Sequence, residues 1–168
     1  QRIGVCNFAE FKIYCLGLNE AVTQYIASKA IGEKPHRKNN ESISIYTIND
    51  KYYPYLTSLV IQLLYFVGEN NLIKSAIDGT VDFENDLYNT FEENTNKILS
   101  NFDAILDENN EEKRSEEKII QLYMETQKMM CMTYFDKIYI RIDTLKEIEE
   151  YTHKLNEYGK IECLKTMN

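Results

Sequence analysis

Apolar positions along this chain recur mostly at three- and four-residue steps, and only one short stretch alternates. After Asn7 and Glu10, whose spacing fits a reciprocal helix cap, Phe8, Phe11, Cys15, Leu18, Val22 and Tyr25 form one stripe. Glu10, Lys12, Asn19, Glu20 and Gln24 face away from it. Gly32 and Pro35 close the run. The pattern predicts a helix over residues 7–30. A polar connection follows, "EKPHRKNNESISIYTIND", in which "SISIYTI" alternates and reads as a short extended piece lying on the core.

Pro54 suits a helix first turn, and the run Leu56–Val67 behind it is apolar on nearly every side. Such a helix is buried all round, so Leu59, Leu63 and Phe66 are expected near the centre of a bundle. Gly68 breaks it, and "ENNLIKSAID" makes a short helix stopped by Gly79. Asp82 can cap a further helix with Phe83, Leu87, Phe91, Ile98, Phe102 and Ile105 as its stripe. Residues 107–117, "DENNEEKRSEE", read as a charged loop or frayed start. Helix from 116 to 158 would run about 64 Å, against a span of about 40 Å for a compact chain of this size. A break is therefore expected at "TYFDK", Thr133 to Lys137, giving an antiparallel hairpin. The expected fold is all-α: a single helical domain over 1–168, a compact bundle of five or six helices around a central apolar helix.

Composition narrows the function. The chain has 168 residues, 43% hydrophobic and 27% charged, with two prolines and six glycines, which suits a globular domain with a real core. A formal charge of −8 argues against phosphate-backbone binding. The longest apolar run is too short to cross a bilayer. The chain opens on Gln1 without a charged-then-apolar leader, so either a signal peptide has been removed or the end was trimmed.

The four cysteines bear on compartment. On one helix Cys6 and Cys15 would lie about 13 Å apart, beyond disulfide reach. Cys131 and Cys163 are also poorly placed for each other, so two bridges from the first helix to the C-terminal hairpin are expected. Two pairings satisfy this. The nested one, Cys6–Cys163 with Cys15–Cys131, pins both chain ends and is preferred; the alternative is four thiols, with Cys15 a small apolar residue on its stripe.

Catalytic signatures are sparse. No glycine-rich phosphate loop, H-E-x-x-H, C-x-x-C or G-x-S-x-G occurs. The two histidines, His36 and His153, each close an E-x-x-H. Two such motifs are in outline those of a di-iron carboxylate bundle, but Pro35 spoils the first and no inward glutamate interrupts the other stripes. No catalytic residue, metal site or cofactor is expected. "KPHRKNN" is a basic cluster on an acidic chain, which makes Lys34, His36, Arg37 and Lys38 a candidate contact loop; the plainer reading is a solvated linker. Asn40-Glu41-Ser42 is a glycosylation sequon on the same loop, with Asn40 as acceptor. Thirteen tyrosines suit either a core rim or an interface.

With the "CNFAEFKIYC" start, the four cysteines and no active site, the chain resembles small secreted all-helical disulfide proteins, such as salivary proteins of blood-feeding insects. That resemblance implies a secreted, extracellular, monomeric, non-enzymatic protein that binds a protein partner in host immunity or haemostasis. The apolar helix at 56–67 wrapped by amphipathic ones is also similar to intracellular poxvirus Bcl-2-like proteins of the host cytoplasm. The Asn-Trp-Gly-Arg signature of that group is absent, since the chain has no tryptophan. A carrier of small apolar ligands is a third class, and it requires a gap in the bundle core.

Overall fold

The helix with apolar residues all round is the one that four other helices and a strand pack against. A computed structural model describes the backbone of residues 2–3, 6–9 and 12–137 and the side chains of 15–134. In it the central helix α2 (Pro54–Val67) buries ten residues in succession, from Tyr55 to Leu64. It is contacted by α1 (Leu16–Ala30), α4 (Asp82–Phe91), α5 (Thr95–Asn110), α6 (Glu116–Lys137) and strand β5 (Ser44–Thr47). Pro54 stands in its first turn and Gly68, at φ 81°, ends it. The chain then turns through 117° into α3 (Asn70–Asp78), which Gly79 stops in a left-handed conformation. Among the described residues no single helix is long and apolar enough to cross a membrane.

Helix-to-helix burial follows the expected stripes. Leu59, Leu63, Phe83, Leu87, Phe91, Ile98, Phe102 and Ile105 are all buried. Phe66 is a correction: it is only partly buried, and its ring meets Phe91 at 5.7 Å and Tyr134 at 4.6 Å between centroids. The core also contains polar groups that satisfy one another. The Tyr123 hydroxyl receives the Gln62 amide at 2.8 Å and the Gln127 amide at 3.0 Å, and lies 3.0 Å from the Ser58 hydroxyl. Most buried polar atoms need such partners, so this network favours one way for α6 to lie on α2.

Three expectations fail. The single helix expected after Asp82, with Phe83 through Ile105 on one stripe, is divided in two. Glu92 at φ 48° and a 3-10 turn over Glu92–Asn94 separate α4 from α5, and the Thr95 hydroxyl bonds the Leu87 carbonyl across the break. The expected break at Thr133–Lys137 is not present, since α6 is helical through Lys137. Tertiary contacts outweigh propensity there: Tyr134 stacks on Phe66, and Thr133 accepts from Asn94 while bonding the Met129 carbonyl. The hairpin's second arm and His153 lie outside the described residues.

The third failure is at the N-terminus. Residues expected to begin a helix at 7 form strands: β1 (Arg2–Ile3), β2 (Cys6–Ala9) and β3 (Lys12–Tyr14), an antiparallel sheet in the order β1-β2-β3. α1 begins only at Leu16, because Cys15 takes a left-handed conformation at φ 64°. Its first turn is held from a distance. The Gly17 N–H donates to Asp103 Oδ1 of α5 at 2.7 Å, supplying the cap that no local side chain provides. Burial raises the Asp103 carboxyl above its usual range, while the Gly17 N–H holds it down.

Candidate functional site

Between α1 and α2 the chain makes a second antiparallel sheet. β4 (His36–Asn39) pairs with β5 in the register His36↔Thr47 to Asn39↔Ser44. The alternation expected for "SISIYTI" is present: Ile45 and Thr47 are buried toward α2, and the Thr47 hydroxyl bonds the Pro54 carbonyl at 2.8 Å. The basic cluster is therefore an edge strand of a hairpin, rather than a linker. Charged residues on an exposed edge discourage unwanted strand pairing.

Asn40 makes the turn. Its Oδ1 accepts from the backbone N–H of Ser42 at 3.1 Å and of Ile43 at 2.8 Å. Its amide nitrogen donates to the Tyr55 hydroxyl and, at 3.4 Å, to Glu116 Oε1. Tyr55 in turn donates to Glu116 at 2.6 Å, and burial with that carboxylate pushes its phenol well above the usual range. A glycan attaches through this same amide nitrogen, so glycosylation of Asn40 would displace the contacts that tie the hairpin to α2 and α6. Asn40→Ala is expected to destabilise the fold by about 1–2 kcal/mol, measured by urea unfolding, because turn N–H groups and a buried hydroxyl lose partners together. An unchanged midpoint would show that the turn stands without it.

Beside the hairpin lies a groove of about 530 Å³, formed by the C-terminal end of α1, the connection to β4 and the segment from β5 to α2. Ile48 and Ser28 line it and are buried. Asn49 donates to the Ser28 hydroxyl at 3.1 Å, joining the two walls. Ile31 and Tyr52 also line it, and are 76% and 60% exposed. Ile31 and Tyr52 therefore add exposed apolar surface to the concavity. Gln24 and Ala27 also line it, and its charged lining is Glu33, Lys34, His36, Asp50 and Lys51.

His36 sits between two acceptors. Its Nδ1 lies 3.0 Å from the Lys34 carbonyl and its Nε2 lies 2.8 Å from Asp50 Oδ1. Both nitrogens carry hydrogen only in the imidazolium, so the geometry favours the charged ring. The Lys34 carbonyl and then Asp50 raise its pKa above 6.5, against an opposing effect of partial burial. With a folded pKa above the unfolded value, this latch contributes fully below pH 6.5 and is lost as pH rises through the folded pKa. An NMR titration should find His36 above 6.5, and Asp50→Asn should bring it back toward that value. A wild-type ring titrating at or below 6.5 would show that the latch does not form in solution.

Of the four basic candidates, the structure brings Lys34 and His36 to the groove. Arg37 and Lys38 lie on β4, where Arg37 donates to the Ser44 hydroxyl and Lys38 to the Asp50 carbonyl at 3.2 Å. Lys34 and Lys51 form no ion pair among the described residues. Ile31, Lys51 and Tyr52 were not singled out by sequence reasoning as groove residues. Their only signals were an apolar residue just past a helix end and the tyrosine cluster before α2.

The disulfide expectation needs correcting. Cys15 and Cys131 are not joined to each other. Cys131 is buried on α6, whereas Cys15 precedes an α1 that packs chiefly on α2 and α5. Cys6 lies on β2 rather than on a helix, and Cys163 lies outside the described residues. His36 opens a strand, so its E-x-x-H is not helical, and no group of three His, Cys, Asp or Glu side chains among the described residues could hold a metal. Compared with protein families, curated proteins and solved structures, the chain finds no match.

Proposed function

We propose that this chain is a non-enzymatic binding protein that recognises an acidic, partly apolar segment of a partner protein in the groove beside the β4–β5 hairpin. One observation carries the reading: Lys34 and Lys51, without acidic partners among the described residues, share a concavity with the exposed Ile31 and Tyr52. Aromatic and aliphatic anchors supply contact area, while cations with no partner select a carboxylate-rich one. Charge complementarity favours an acidic occupant. Among the groove's own lining Lys34, Lys51 and a charged His36 stand against Glu33 and Asp50, a net of +1 on a chain of formal charge −8. The carrier alternative calls for a gap inside the bundle, whereas this groove lies at its periphery, outside α2.

A displayed random-peptide library panned on the intact protein tests this. Selected peptides should be enriched in Asp and Glu around an aliphatic or aromatic residue. Their affinity should fall about tenfold or more in the double variant Lys34→Glu, Lys51→Glu, and should weaken with added salt. Peptides without acidic bias, or ones that bind the folded double variant equally well, would overturn the proposal. Enrichment of a purely apolar peptide would do the same.

A further inference from the structure

We infer that His36 is a proton switch for the groove: with its ring charged, the groove holds an acidic segment more tightly than with its ring neutral. The inference rests on the groove reading above and adds its regulation. Geometry sets the ring between two walls. Nδ1 lies 3.0 Å from the Lys34 carbonyl on the connection leaving α1, and Nε2 lies 2.8 Å from Asp50 Oδ1 on the segment leading to α2. An imidazolium donates to both at once, whereas a neutral ring has one N–H and can serve only one of them. Lys34, His36 and Asp50 all line the groove, so the proton is gained or lost at the binding surface itself.

Charge decides the direction. The ionisable groups facing the ring are Glu33 and Lys34 on the connection, Lys38 on β4, and Asp50 and Lys51 beyond β5. Thr47 of β5, paired opposite His36, does not titrate, and neither do Gln24, Ala27, Ser28 and Ile31 on the α1 side. Histidine is the residue type in this lining that changes charge near neutrality. The Lys34 carbonyl first, and Asp50 with it, raises the ring's pKa above 6.5. Deprotonation takes the net charge of the groove lining from +1 to 0. It also leaves the Asp50 carboxylate without the imidazolium, so that it meets an acidic occupant as a like charge. The wall itself has other supports. Asn49 Oδ1 accepts from the N–H groups of Lys51 and Tyr52 at 3.0 and 2.8 Å, and Lys38 Nζ donates to the Asp50 carbonyl at 3.2 Å. The switch therefore acts through charge, while Ile31 and Tyr52 offer the same apolar surface in both states. The side chains of His36 and Asp50 are 42% and 54% exposed, so solvent screening holds the effect to a few-fold.

The intact protein is panned at pH 6.0, and the tightest acidic peptide, labelled with tetramethylrhodamine, is the probe. Its dissociation constant is followed by fluorescence anisotropy from pH 5.5 to 8.5 at constant ionic strength. It should rise by about threefold or more as His36 loses its proton. By linkage, saturating peptide should raise the His36 pKa, read by NMR on the unaltered protein, by about 0.5 for a threefold effect. Folded His36→Gln should bind with one affinity throughout, near that of wild type at pH 8.5, while His153→Gln should keep the wild-type profile. An acidic peptide whose affinity depends on Lys34 and Lys51 but not on pH would overturn the inference and leave the groove reading standing. An unchanged His36 pKa at saturating peptide would do the same. A selection that returns no acidic peptide would overturn both.

Discussion

Replacing Gly17 with alanine is expected to destabilise the fold by about 3 kcal/mol or more, at the upper end of what one added methyl group does in a packed core. A Cβ at this position would lie 2.3 Å from both the carbonyl carbon and the carbonyl oxygen of Phe102, and 2.6 Å from the Asp103 nitrogen. All three are backbone atoms of α5, so no rotamer change can make room. The relief available is for α1 to move away, and that lengthens the 2.7 Å bond from the Gly17 N–H to Asp103. It also opens the contact between α1 and α5, where Leu18 and Phe102 are buried. Overpacking and loss of the cap therefore act together. Gly17→Ala and Asp103→Ala should combine to less than the sum of their separate effects, because each releases the same turn. A Gly17→Ala protein with an unfolding midpoint near that of wild type would show that α1 and α5 lie farther apart in solution.

The same contact explains which parts of the fold were legible in the sequence. α2, α3 and the buried stripes of α4 and α5 follow from local pattern and punctuation: an all-round apolar run, Pro54 at its start, Gly68 and Gly79 at the stops. Residues 6–14 do not. Phe8, Phe11, Cys15 and Leu18 satisfy helical spacing, yet the same stretch is rich in aromatic and β-branched residues that suit strands. What decides between them is the left-handed turn at Cys15 and the carboxylate of Asp103, 86 residues along the chain from Gly17. A local window cannot contain that partner. β4 was hidden for a related reason. His36, Arg37, Lys38 and Asn39 have poor strand propensity, and they are held extended by pairing with β5, whose own place is set by burial of Ile45 and Thr47 against α2.

The candidate site shows the same division. Its charge was visible as "KPHRKNN", but a groove needs two walls. One comes from the end of α1 at Ser28 and Ile31, the other from Ile48 to Tyr52 before α2. Asn40 illustrates the limit of motif reading more sharply. The sequon names an acceptor nitrogen, and the fold has already assigned that nitrogen to Tyr55 and Glu116.

The second large effect concerns α2. Leu63→Ala is expected to cost about 2–5 kcal/mol, from the lost transfer free energy of the removed methyl groups plus the cavity they leave. Leu63 has 0% exposure and lies in the core cluster with Leu59, Phe91, Phe102 and Tyr123. α2 is enclosed by four helices and a strand, so no single neighbour can shift to fill the space without disturbing the others. The adjoining hydrogen bonds of Ser58, Gln62 and Tyr123 resist that shift further, since a collapse that moved α6 toward α2 would strain them. Ile77 on α3 is the internal control. At 72% exposure its replacement by alanine should change stability by less than about 0.5 kcal/mol. Urea unfolding of both variants should show a lower midpoint for Leu63→Ala at an unchanged slope, and no shift for Ile77→Ala. Similar midpoints for the two would mean that α2 is not the enclosed axis of the bundle, and the groove beside its N-terminal end would lose the rigid wall that the binding proposal requires.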